Sequence, residues 1–184
     1  MSNFTDFFPA ASGGGLKPKF EEFTSSGTFT PSQALIDAGG YIEVFLVAGG
    51  ERGHTSYGGQ GGEAQIVRMY LTSTSGCAVV IGAGGSASDG SDGSNSTFSG
   101  SSAGGSDITS KGGAHSGYQQ GVLSPSWGGE QDRSAGNGIF GYGAGGAVGI
   151  DDFGGIRTAK ANSGQGTSNN YGAASGYCLI KYYE

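Results

Sequence analysis

Residues 112–121 read GGAHSGYQQG, residues 126–138 SWGGEQDRSAGNG, residues 140–149 FGYGAGGAVG and residues 151–155 DDFGG. From Gly112 to Gly172 a glycine recurs every few residues, with Tyr118, Trp127, Phe140, Tyr142, Phe153 and Tyr171 set among them. No helical spacing runs through the stretch, and no alternation is long enough for an ordinary strand. Each glycine costs about 0.5–1 kcal/mol against alanine in a regular element. With 41 of them in 184 residues, that burden outweighs the about 5–15 kcal/mol by which a typical domain is stable. Either the stretch is disordered or the missing side chains let backbones lie nearly in contact. A charged fraction of only 13% and an aromatic fraction of 11% favour order. The expected form is a set of extended polyglycine-II segments with three residues per turn, packed side by side.

Ordinary strand signals bracket the glycines. YIEVFLVAGG alternates from Tyr41, with Ile42, Val44, Leu46 and Ala48 on one wholly apolar face and Tyr41, Glu43, Phe45 and Val47 on the other. Further strands are expected at Phe20–Phe23, Gly27–Thr30, Ala64–Thr72, Cys77–Ile81, Thr97–Phe98, Asp107–Lys111 and Gly176–Tyr183. Pro31, Leu35 and Ile36 lead to a turn at Gly39-Gly40, Gly49–Gly62 reads as a loop, and Ser86–Ser96 as a turn region. With strands on both sides, one sheet assembly holds both ends of the glycine-rich region. The fold class is therefore all-β, a β-sandwich-like framework carrying packed polyglycine-II segments, with no significant helix. Residues 1–19 form an anchor peptide and glycine joint, and 20–184 a glycine-rich β domain whose polyglycine-rich part is 112–172.

Composition excludes several function classes. A net charge of −6 with nine scattered Lys and Arg cannot neutralise a nucleic-acid backbone. The longest apolar run, Val44–Ala48, is far too short to span a bilayer as a helix. Cys77 and Cys178 each sit in an apolar strand and fit buried free thiols, a disulfide between adjacent strands being the alternative. Gly141–Gly146 matches GxGxxG without a following helix, so it is no dinucleotide signature. Asp89, Asp92 and Asn95 lack the ligand spacing of a calcium loop and fit Asx-turns instead. His54 and His115 find no nucleophile elbow among the serines. No enzyme activity, metal or cofactor is expected.

Two sets of residues remain as binding candidates. Phe4, Phe7, Phe8 and Pro9, ahead of Gly13–Gly15, form an aromatic cluster suited to docking in another subunit's groove. Tyr118 with Gln119 and Gln120, Trp127 with Gln131, Asp132 and Arg133, and Asn169 with Asn170 and Tyr171 each join an aromatic to planar polar groups. Such combinations suit sugar rings and protein loops alike.

The ordered pieces TFTPS, GGYIEVFLVAGG, GGQGGEAQIVRMYLTSTSGCAVVIGAGG, NSTFSG, DITSKGG and GYCLIKYYE resemble the glycine-rich domain of tailed-phage tail fibres and tail-tip adhesins. The likeness runs from Phe20 to Glu184, and the DFFPA opening resembles segments that attach tail-associated proteins to the virion. The resemblance implies a virion tail fibre or adhesin, made in the host cytoplasm, that binds a cell-surface receptor as a homotrimer anchored through Phe4–Pro9. It implies partners of two kinds: other tail proteins at the N-terminus, and a host surface glycan or outer-membrane protein at the variable loops. A purely structural tail or capsid-decorating component is the alternative; an ice-binding polyglycine protein and a glycan depolymerase are more distant ones.

Overall fold

The computed structural model describes residues 15–53, 59–86, 91–114, 161–167 and 172–184. Eight strands dominate them: β1 Pro18–Phe23, β2 Gly27–Phe29, β3 Tyr41–Val47, β4 Ala64–Tyr70, β5 Cys77–Val80, β6 Ser96–Ser99, β7 Asp107–Ser110 and β8 Tyr177–Tyr183. They form two four-stranded sheets, ordered β1-β8-β3-β4 and β2-β5-β6-β7, and every pairing is antiparallel.

The alternation in β3 does what its pattern dictates. Ile42, Val44 and Leu46 are fully buried, while Tyr41, Glu43 and Phe45 keep some contact with solvent. Register extends the apolar row across the sheet, since Val44 lies opposite Val67 on one side and Ile180 on the other. β8 inserts between β1 and β3, so the last strand of the chain is central and the first lies beside it. Lys17 and Glu184 extend that pairing with two backbone hydrogen bonds, of 2.9 and 3.2 Å.

The second sheet closes the core with Phe29, Cys77, Val79 and Phe98. Phe29 meets Phe98 at 6.4 Å between ring centroids and reaches across to Tyr182 at 5.6 Å, edge to face. Such tilted and edge-on contacts suit the ring quadrupoles. Cys77 and Cys178, one in each sheet, are free and buried, as the sequence favoured. Burial pushes the Cys178 thiol up to about 12, with Glu21 adding to the shift.

One short helix, α1 Gln33–Asp37, stands where a plain approach to the turn is expected. Ser32 caps it, its hydroxyl accepting from the Leu35 N–H at 3.0 Å. Leu35 is fully buried, which ties this single turn of helix to the core. It leaves the fold class unchanged.

Two buried serines join the sheets. Ser110 Oγ donates to Leu46 O at 3.0 Å and accepts from Gln65 Nε2 at 2.9 Å. Ser96 Oγ donates to Val47 O at 2.7 Å and accepts from Gly82 N at 2.9 Å. Ser96→Ala removes both bonds and takes the side-chain partner from the Gly82 amide in a fully buried place. We expect a loss of about 2 kcal/mol, since each stranded polar group costs about 1–3 kcal/mol less whatever relaxation recovers. Urea unfolding of the purified variant checks it.

Candidate functional site

Where strands β3, β5 and β7 end, the chain does not turn back at once. It continues as extended segments 48–53, 82–86 and 111–114, and it returns to β4, β6 and β8 along 59–63, 91–95 and 172–176. A seventh segment, 162–167, runs outward beside them. Their sequences are too rich in glycine to offer an apolar face, so backbone hydrogen bonds must hold them.

Those bonds are regular. On segment 48–53 the N–H of Ala48 donates to Glu63 O, Gly49 to Ser94 O, Gly50 to Ala174 O, Glu51 to Gln60 O and Arg52 to Ser91 O. Residues three apart, Ala48 and Glu51 or Gly49 and Arg52, thus reach the same neighbour. That is the period of a helix with three residues per turn. The carbonyls of the same segment serve the other three neighbours: Gly49 O accepts from Gly113, Gly50 O from Gly85 and Glu51 O from Thr167. Segment 48–53 is therefore central and bonded to all six others.

The six form a closed ring around it, 59–63, 111–114, 91–95, 82–86, 172–176 and 162–167, with bonds between each successive pair and from the last back to the first. Direction alternates around this ring. The central segment donates to the three neighbours that run against it and accepts from the three that run with it. This is polyglycine-II packing, and the absent side chains are its condition. A Cβ built on Gly49 would lie 2.0 Å from Ala83 O, on Gly50 2.3 Å from Gln165 O, on Gly85 1.9 Å from Ser91 O and on Gly113 2.3 Å from Gln60 O. Gly164 adds a left-handed backbone, φ 63°, against Ala48 O.

Of the expected polyglycine-rich stretch 112–172, residues 112–114, 162–167 and 172 belong to the lattice, and 115–160 and 168–171 lie outside the described residues; the lattice also uses runs expected to be loop or turn. Gly49–Gly53 and Gly59–Gly62 fall in the expected loop 49–62, and Ser91–Asn95 in the expected turn region 86–96. Both are bonded lattice segments, because each finds its partners far along the chain. Asn95 likewise makes a lattice contact: its Oδ1 accepts from Gly112 N at 2.9 Å, across to the neighbouring segment.

The seven segments end together on the side away from the sheets, at Gly53, Gly59, Ser86, Ser91, Ala114, Thr167 and Gly172. Tyr118, Gln119, Gln120, Trp127, Asp132, Arg133, Asn169 and Tyr171 lie outside the described residues, as do Phe4, Phe7, Phe8, Pro9, His54, Asp89 and His115. The lattice nonetheless fixes where the chain departs toward them: Ala114 precedes 115–160, and Thr167 and Gly172 flank 168–171.

Two charged residues belong to the central segment itself. Arg52 Nη1 donates to Ser86 O at 2.7 Å. Glu51 is fully buried, and its Oε2 accepts from Gln60 N at 2.9 Å. Burial pushes its carboxyl up to about 7, with the Asp92 charge adding and the Gln60 bond opposing. The sequence reading passed over Glu51. A lone acid inside AGGERGH was its available signal.

Among the described residues, no group of three His, Cys, Asp or Glu side chains is placed to hold a metal ion, and no helix is long and apolar enough to cross a membrane. In comparisons with known proteins, no family model matches this chain and no curated protein matches its sequence.

Proposed function

We propose that this chain is a virion tail fibre or tail-tip adhesin: a stiff glycine lattice mounted on a β-sandwich, presenting receptor-binding residues to the host surface. The observation that carries the reading is the common end of the seven segments. The chain leaves the described residues there at Gly53, Ser86, Ala114 and Thr167. The stretches that follow Ala114 and Thr167 contain Tyr118, Gln119, Gln120, Trp127, Asp132, Arg133, Asn169 and Tyr171. A lattice bonded in every direction restricts motion of those departure points, which lowers the ordering cost of binding. The aromatic and amide side chains suit a glycan or the loops of an outer-membrane protein. Phe4, Phe7, Phe8 and Pro9 supply the anchor to another tail protein, and the assembly is a homotrimer.

The test uses fluorescently labelled full-length protein on host cells. It should decorate them and compete with infection. Trp127→Ala combined with Tyr118→Ala should reduce decoration at least about tenfold, the scale of removing one aromatic hot spot, with little change in melting temperature. Protein that never decorates cells, and copurifies only with virion components, would make this chain a structural tail part instead.

A further inference from the structure

A buried carboxylate is costly unless it is paired or neutral. Glu51 sits on the central segment with main-chain bonds on two sides, its N–H to Gln60 O at 2.7 Å and its C=O from Thr167 N at 3.3 Å. The side chain is fully buried. One carboxyl oxygen has the Gln60 amide; the other, Oε1, has no hydrogen-bond partner among the described residues.

The charged residues of the surrounding segments do not offer a dedicated counter-ion. Segments 82–86, 162–167 and 172–176 contain none. Segment 91–95 brings Asp92, of the same sign. Glu63 and Lys111 sit at the sheet end, where Glu63 Oε2 accepts from the Lys111 amide. Arg52, next along the chain, is directed to Ser86 O.

We propose that Glu51 is a proton-operated latch at the centre of the lattice: as a neutral acid it lets the segments close around it, and its ionisation loosens the outer half of the packing. The sign follows from linkage. A carboxyl held above its ordinary 4.5, at about 7, binds its proton more tightly in the folded chain. The stabilisation is complete below the ordinary value and is lost as pH rises through the folded one. A shift of that size lowers the folding equilibrium by up to about 300-fold between acid and mildly alkaline solution. Glu51→Gln keeps the shape and the neutral charge at every pH.

Three measurements on the full chain decide it. The carbon chemical shift of the Glu51 carboxyl, followed by NMR, should titrate near neutrality, and the Gln60 amide should follow with the same midpoint. Stability measured from pH 4.5 to 8.5 should fall in the wild type relative to Glu51→Gln. Over the same range, exchange protection of the Gly59 and Thr167 amides should drop before that of Gly62 and Gly176, which lie toward the sheets. A Glu51 midpoint in the ordinary carboxylate range would overturn the proposal. So would a parallel pH slope in wild type and variant, or equal loss of protection at both ends. If Glu51→Gln fails to fold, the wild-type titration and exchange pattern still decide.

Discussion

Gly50→Ala should lower the melting temperature of this protein by about 10 °C or more. Gly50 donates to Ala174 O at 3.0 Å and accepts from Gly85 N at 2.9 Å, so its backbone is fixed between two segments. An added methyl would stand 2.3 Å from Gln165 O and 2.4 Å from its carbonyl carbon. Backbone, not a flexible side-chain end, must then yield. Overpacking of this kind costs about 1–3 kcal/mol and sometimes more, and each buried amide or carbonyl left unpaired adds about 1–3 kcal/mol. Together they exceed about 4 kcal/mol, a large share of the about 5–15 kcal/mol available to a domain. At this chain length that lowers the melting temperature by about 10 °C or more. Gly172→Ala is the control. Among the described residues no atom lies within 4 Å of its built Cβ, so the change should be neutral or slightly stabilising through the unfolded chain. Thermal melts of both variants separate an effect of close packing from an effect of glycine content.

Phe98→Ala should cost about 3–5 kcal/mol, the range for removing a buried aromatic ring. Phe98 is fully buried on β6, beside Phe29 and within the cluster that spans both sheets. The sandwich core is small for a chain of this length, so little surrounding mass can collapse into the cavity. Val80→Ala on β5, where the side chain is 45% exposed, should cost under about 1 kcal/mol. Urea midpoints give both numbers. A mild Phe98→Ala would mean that stability resides in the lattice and not in the sandwich.

The framework was legible because its signals are local. Tyr41–Val47 shows its buried face by alternation alone, and the strand near the C-terminus by its apolar run. The reason for the glycines was legible too, as a need for close backbone approach. Which glycine runs pack was not. Gly50 owes its place to Gly85, Gln165 and Ala174, contacts that leave no periodic mark within its own stretch. The same distance in sequence hid Asn95, whose side chain serves Gly112. Ser32 and Leu35 carried a helix signal, but α1 is too short for periodicity to reveal. Glu51 was hidden by a stretch that reads as a polar loop, since charge there ordinarily means exposure.

Amide hydrogen exchange across residues 48–53, read residue by residue by NMR, tests the lattice most directly. If segment 48–53 is bonded on every side, the Gly49, Gly50, Glu51 and Arg52 amides should be protected on the order of 1,000-fold or more, in step with core strand β3. Exchange of those four at the rates of an open chain, while β3 stays protected, would contradict the lattice and remove the platform from which binding is proposed.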